Sequence, residues 1–112
     1  MNSFPTLSST SMVRFPIKNS KEYVSLNQVV RLKADRNYTL LFLADKRSIV
    51  ISKTLGYFEK NLPSDFIRIH RSHIVNRSYV KYFNYRQLFC LLSNGIQVQI
   101  AQDRCQKLKL SF

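Results

Sequence analysis

The sequence predicts a mainly β fold: short antiparallel strands, one short internal helix, and a C-terminal segment able to form another. Three observations point there. Apolar and polar residues alternate with period two in several runs, as in Phe66-Ile67-Arg68-Ile69-His70 and Ile96-Gln97-Val98-Gln99-Ile100. Asn94-Gly95 stands between two apolar runs, the strongest short hairpin signal in the chain. Only one internal stretch has helical spacing, with Leu55, Phe58 and Leu62 at i, i+3 and i+7.

In chain order, residues 1–12 are rich in Ser and Thr and read as a flexible lead-in, and 13–112 as a single domain. Val13 to Ile17 forms an opening strand whose Pro16 suits an edge or a strand end. Glu22 to Leu26 and Val29 to Ala34 follow as strands. Asp35-Arg36-Asn37 makes a turn, because Asp and Asn tolerate left-handed backbone. Tyr38 to Leu43 is a dense apolar run, expected to be buried on much of both faces. Asp45-Lys46-Arg47 turns it back into Ser48 to Ser52. Thr54 caps the helix, and Pro63 stops it. Val80 to Phe83 is a short strand, and Leu88 to Ser93 pairs with Ile96 to Ala101 across Asn94-Gly95. Asp103 to Leu110 forms a terminal helix that docks through Leu108 and Leu110.

Eighteen Lys and Arg against six Asp and Glu give the 112-residue chain a formal charge of +12. Such an excess destabilises a compact state by self-repulsion and favours binding to polyanions, nucleic acid above all. No run approaches the roughly 20 apolar residues of a spanning helix, and no long basic amphipathic helix offers a membrane surface contact. The N-terminus lacks the basic start and apolar middle of a signal peptide. A cytoplasmic protein with Cys90 and Cys105 as reduced thiols is the expectation. The sequons Asn37-Tyr38-Thr39 and Asn76-Arg77-Ser78 then count as chance matches.

The stretch from Phe66 to Val80 is the expected functional centre. A strand runs into the polar knuckle Arg71-Ser72-His73, which rejoins apolar Ile74-Val75. No Asp or Glu occurs from Phe66 to Gln102, while Arg68, Arg71, Arg77, Lys81 and Arg86 all do. Arg71 is the candidate base contact, since a guanidinium bonds bidentately to guanine O6 and N7 in the major groove. Ser72 and Thr54 offer hydroxyls to phosphate oxygens, and Arg68, Arg77 and Lys53 offer charge. For Thr54, helix capping is an equal reading. His70 is read as loop support, by a bond to the main chain. Asn76 is read likewise, where the knuckle rejoins the sheet. A His70–His73 metal site lacks further ligands. No catalytic residue, cofactor or small-molecule substrate is expected.

The order of these signals, and above all Arg68 through Asn76, resembles the LytTR family, the DNA-binding output domain of many bacterial response regulators. The family's run is Arg-Val-His-Arg-Ser-Tyr-Ile-Val-Asn, and the similarity extends from about Phe15 to Leu110. The resemblance implies an elongated fold of short antiparallel strands in small sheets. It also implies sequence-specific reading of double-stranded DNA by loops in successive major grooves. By position, the three loops lie around Asn37-Tyr38, around Arg71-Ser72 and around Gln102. For Tyr38 a place in the core is an equal reading. The family often has Arg where this chain has Gln102, with Arg104 two residues on, and a small hydroxyl where this chain has Ala101. The resemblance further implies paired half-sites on promoter DNA and a homodimer formed there. The family's usual N-terminal receiver domain lies outside these residues, so the chain reads as a stand-alone regulator or as an output domain. Two rival readings stand beside this one. The first is a small β-barrel that binds RNA or single strands through Tyr79, Tyr82, Phe83, Tyr85 and Phe89. The second is a nuclease using His70.

Overall fold

A computed structural model describes residues 12–17 and 20–111. The expected lead-in lies outside these residues except for Met12, which opens the first strand. Ten strands run in order: β1 Met12–Ile17, β2 Ser20–Ser25, β3 Val29–Asp35, β4 Tyr38–Leu43, β5 Ser48–Ile51, β6 Phe66–His70, β7 His73–Asn76, β8 Val80–Asn84, β9 Phe89–Leu92 and β10 Gln97–Gln99. The described residues also form two α-helices, α1 Leu55–Asn61 between β5 and β6, and α2 Cys105–Ser111 after β10.

All pairings are antiparallel, in one seven-stranded sheet of order β2-β1-β5-β4-β3-β7-β6 and one three-stranded sheet of order β10-β9-β8. The larger sheet is less continuous than its strand number suggests. The β1–β2 hairpin joins it through a single register pair, Ile17 with Ile51. The molecule is elongated, with principal extents of 41 × 27 × 26 Å.

Strand alternation sends side chains to two cores. On one face Leu32, Leu41, Ile49, Ile51 and Ile74 pack against Leu55 and Phe58 of α1. On the other, Val30, Ile67, Ile69 and Val75 pack against Cys90, Leu92, Val98 and Ile100 of the small sheet and Leu108 of α2. The strand β6 therefore serves both. Its Ile67 and Ile69 face the small sheet, and its Phe66 and Arg68 face the α1 side, as their alternation predicts; a register shift between Arg68 and His70 then breaks the alternation, and His70 pairs with His73 instead.

Several expectations need correction. In β4 the burial alternates, so that Thr39, Leu41 and Leu43 are buried while Leu40 and Phe42 are half-covered. The guanidinium of Arg31 lies 3.9 Å over the Phe42 ring and caps that second face. Leu108 docks but Leu110 is 80% exposed. Residues two apart point to opposite sides of a helix, so both could not reach one core. The left-handed residue of the β3–β4 turn is Arg36 (φ 59°), not its Asp or Asn neighbour. Gly95 fills its expected place with φ 88°, and Ile96 N–H donates to Asn94 Oδ1 at 3.0 Å to close that turn. Among the described residues no helix is long and apolar enough to cross a membrane.

Candidate nucleic-acid interface

Antiparallel register decides which loops are neighbours. Asp35 pairs with Tyr38, Lys33 with His73, and Thr39 with Ile51. These pairs put three segments at one end of the large sheet: the Arg36-Asn37 turn, the Arg71-Ser72 turn and Lys53-Thr54. Two hydrogen bonds tie them together. Ala34 N–H donates to Ser72 O at 2.9 Å, and the Thr39 hydroxyl donates to Lys53 O at 2.7 Å. The fourth segment arrives from the small sheet, where Ala101 N–H donates to Ile69 O at 2.8 Å and sets Gln102 beside the end of β6.

The knuckle is smaller than predicted. His73 has joined β7, leaving Arg71 and Ser72 as the turn. Its shape is held from behind. Ser72 N–H donates to His70 Nδ1 at 3.0 Å, so His70 supports the loop through an amide and not a carbonyl. That bond needs an unprotonated Nδ1. Burial, followed by the charges of Arg71 and Arg104, pulls the His70 pKa below its ordinary value. The Arg68 guanidinium adds three bonds: Nε to His70 O at 3.2 Å, Nη2 to Arg71 O, and Nη1 to Glu59 Oε1 at 2.8 Å. By contrast, the Arg71 side chain is exposed, and no hydrogen bond or ion pair to another described residue engages it. A loop hydrogen-bonded from behind thus carries an exposed guanidinium.

His73 lies beside His70, with ring centroids 5.1 Å apart. Burial first, then the charges of His70, Arg31 and Lys33, lower its pKa to about 4, so it is neutral at physiological pH. Its buried Nδ1 has no hydrogen-bond partner among the described residues.

The predicted site residues separate into groups. Asn37, Tyr38, Lys53, Thr54, Arg71, Ser72 and Gln102 share the loop end. Tyr38 is 39% exposed, which removes it from the core. Thr54 Oγ1 accepts from Tyr57 N–H at 3.3 Å and caps α1, and Lys53 Nζ sits 5.0 Å over the Tyr57 ring. Arg68 is not the unengaged charge expected for phosphate, since its side chain is 16% exposed and bonded to Glu59. Arg104 is also tethered, with Nη1 3.3 Å from Arg68 O and 3.9 Å from Glu59 Oε2, whereas Gln102 is exposed, as is Asp103 beside it. Arg77 is at the opposite end of the sheet, where its N–H donates to Asp65 O at 2.8 Å. It is separated from the turn by the length of β7, about 13 Å at 3.3 Å per residue. Asn76 is fully buried there, with Nδ2 donating to Val29 O at 2.9 Å and Oδ1 accepting from Ser78 N–H at 3.0 Å.

Two residues escaped the sequence reading. Arg36 projects from the turn tip next to Asn37, and its left-handed backbone is unusual for an arginine. Glu59 binds two arginines. It stands four residues after Leu55 and three before Leu62, so it shares the helix face of the apolar stripe. An acid in that position signals a cationic partner. The acid-free character of residues 66–102 also does not survive folding intact, because Glu59, Asp35 and Asp103 all come near the loops.

An open antiparallel scaffold with cationic turns gathered at one end defines a binding module. The chain matches the LytTr DNA-binding domain family over residues 19–112, and it belongs to that family. It is 37% identical over 66 residues to the transcriptional regulatory protein LytR of Staphylococcus aureus strain N315, covering 54% of this chain and 26% of LytR. A second relative is the sensory transduction protein LytT of Bacillus subtilis strain 168, 37% identical over 67 residues, or 55% of this chain and 27% of LytT. The chain thus spans about a quarter of the length of these curated relatives. Among solved structures, the LytTr DNA-binding domain of a methyl-accepting/DNA response regulator from Bacillus cereus superposes with a TM-score of 0.74. That match has 30% identity and covers 91% of this chain and 98% of the other. This chain is a DNA-binding domain and not a member of an enzyme family, which removes the nuclease reading. The barrel reading fails on topology too, since among the described residues no further strand pairs with β2 or β6 to close the large sheet.

Proposed function

We propose that this domain reads duplex DNA in a sequence-specific way with the loops at one end of its large sheet, as part of a bacterial transcriptional regulator acting in the cytoplasm. One observation carries the reading. The Arg71-Ser72 backbone is immobilised by His70 and Arg68 while the Arg71 side chain stays exposed and unpaired. Such preorganisation lowers the entropy cost of docking a guanidinium on a base edge. Arg71 takes the base-contact role, with Asn37, Tyr38 and Gln102 on flanking loops. Ser72, Thr54, Lys53 and the turn-tip Arg36 face phosphates. Arg68 and Arg104 shape the loops instead of meeting DNA, and Arg77 contributes charge from the far end only.

A randomised duplex pool supplies a preferred site, and titration against that site and a scrambled duplex tests the reading. Arg71→Ala should weaken the preferred site by about 1–3 kcal/mol and leave the scrambled duplex nearly unchanged. Equal weakening on both would make Arg71 a phosphate contact. Occupation of paired half-sites by two copies belongs to the same reading, and protein–DNA stoichiometry on duplexes with one or two selected sites measures it.

A further inference from the structure

We infer that Glu59 is a positioning residue for DNA recognition, holding the Arg71-Ser72 loop in its reading shape through Arg68. The inference rests on the loop end being the DNA-contacting surface.

The Arg68 guanidinium spans two consecutive loop carbonyls, His70 O and Arg71 O, and reaches the Glu59 carboxylate at 2.8 Å. The carbonyls alone do not fix how the planar group is rotated. A carboxylate at the third corner does, because charge-assisted bonds are shorter and more directional. The same carboxylate approaches Arg104, whose Nη1 donates to Arg68 O at 3.3 Å. Glu59 also lies on α1, whose start is continuous with Lys53 and Thr54. It therefore links three of the loop-end segments: the one before α1, the turn after β6 and the segment after β10.

Packing cannot replace this link. A cleft of about 310 Å³ opens beside the ion pair, lined by Phe66, Ile67, Arg104 and Leu108 as well as Glu59 and Arg68. With the carboxylate removed, the guanidinium keeps only its bonds to the two loop carbonyls. Stability gives Glu59 little reason to be there. Its side chain is 42% exposed, so water screens its pairing with the 16%-exposed Arg68 and limits what the ion pair adds to stability. DNA affinity gives it less, since an acid beside a DNA-binding surface repels phosphate. Loop geometry accounts for its presence.

These opposing effects supply the test. Glu59→Gln keeps side-chain length and removes the charge. Affinity for a scrambled duplex should stay level or rise, while affinity for the selected site falls about tenfold, equivalent to one properly aimed base contact. Amide exchange at Ser72 in the unbound protein should quicken. Arg68→Lys leaves net charge unchanged but cannot span both carbonyls and Glu59, and it should lower the same ratio, with no further drop in the double variant. A parallel rise in affinity for both duplexes in Glu59→Gln, or an unchanged ratio in Arg68→Lys, overturns the inference. So does global unfolding of both variants, which would assign the pair to the fold. If the wild type itself shows no site preference, the DNA-reading proposal fails. The Ser72 exchange rate then decides the positioning role alone, with an unchanged rate contradicting it.

Discussion

The two ends of the large sheet treat their polar groups in opposite ways. At the end holding the β4–β5 turn, side chains close on their own backbone. Arg47 donates to Asp45 through both its amide, at 3.0 Å, and its guanidinium Nε, at 2.9 Å, and the buried Asn76 bridges Val29 O and Ser78 N–H. At the other end, His70 and Arg68 hold the loop from behind, and the side chain of the tip residue Arg71 is exposed. One end consumes its hydrogen-bonding capacity in folding; the other fixes the main chain and reserves the side chain. The difference shows why a short, basic domain can afford exposed arginines. Their loops owe their shape to hydrogen bonds from His70 and Arg68.

The largest effect should fall on the folding end. Asn76→Ala strands Val29 O and Ser78 N–H and should cost about 2–3 kcal/mol in urea unfolding. A loss much below 1 kcal/mol would show water replacing the amide. Next comes a paired test across the sheet. Arg71→Ala should reduce selected-site affinity by about 1–3 kcal/mol, whereas Arg77→Ala should change it by less than about 0.5 kcal/mol. Similar losses from both would mean that the two ends share the DNA.

The third effect is a pH dependence. His73 has its folded pKa lowered from 6.5 to about 4, so the unfolded chain binds more protons between those values. Stability is therefore complete above pH 6.5 and falls as pH drops toward 4. Allowing for partial solvent screening, the loss is about 1 kcal/mol. His73→Gln should flatten that slope in denaturation curves recorded across the window. An unchanged slope would assign it to other groups. The smallest effect concerns Arg36. Arg36→Gly relieves a left-handed backbone costing about 1–2 kcal/mol but loosens the unfolded chain by about 0.5–1 kcal/mol, so melting should shift slightly upward or not at all. If Arg36 meets phosphate, the slope of log affinity against log salt should decrease in magnitude by about 1.

Much of this architecture was legible in the residues because it depends on local rules. Period-two runs became strands, Thr54 and Pro63 bracketed α1, and Asn94-Gly95 made its hairpin. The roles of His70 and Asn76 as supports could be read from side-chain chemistry, although His70 accepts from an amide where a carbonyl partner was expected. What could not be read was long-range proximity. Arg68 and Arg77 look equivalent along the chain, yet β7 carries Arg77 away to the far end while β6 turns Arg68 toward α1. The Glu59 contact closes across nine residues and the Arg104 contact across 36, distances at which no periodicity reports partners. Arg36 was hidden by turn chemistry, which favours Asp or Asn in left-handed backbone.

The central claim is that DNA meets the loop end and not the far end. Amide chemical-shift mapping during titration with the selected duplex tests it most directly. The largest changes are expected at residues 36–38, 53–54, 71–72 and 102, with small ones at 45–47, 65 and 77. Changes concentrated at the far end, or spread evenly over both, would contradict it.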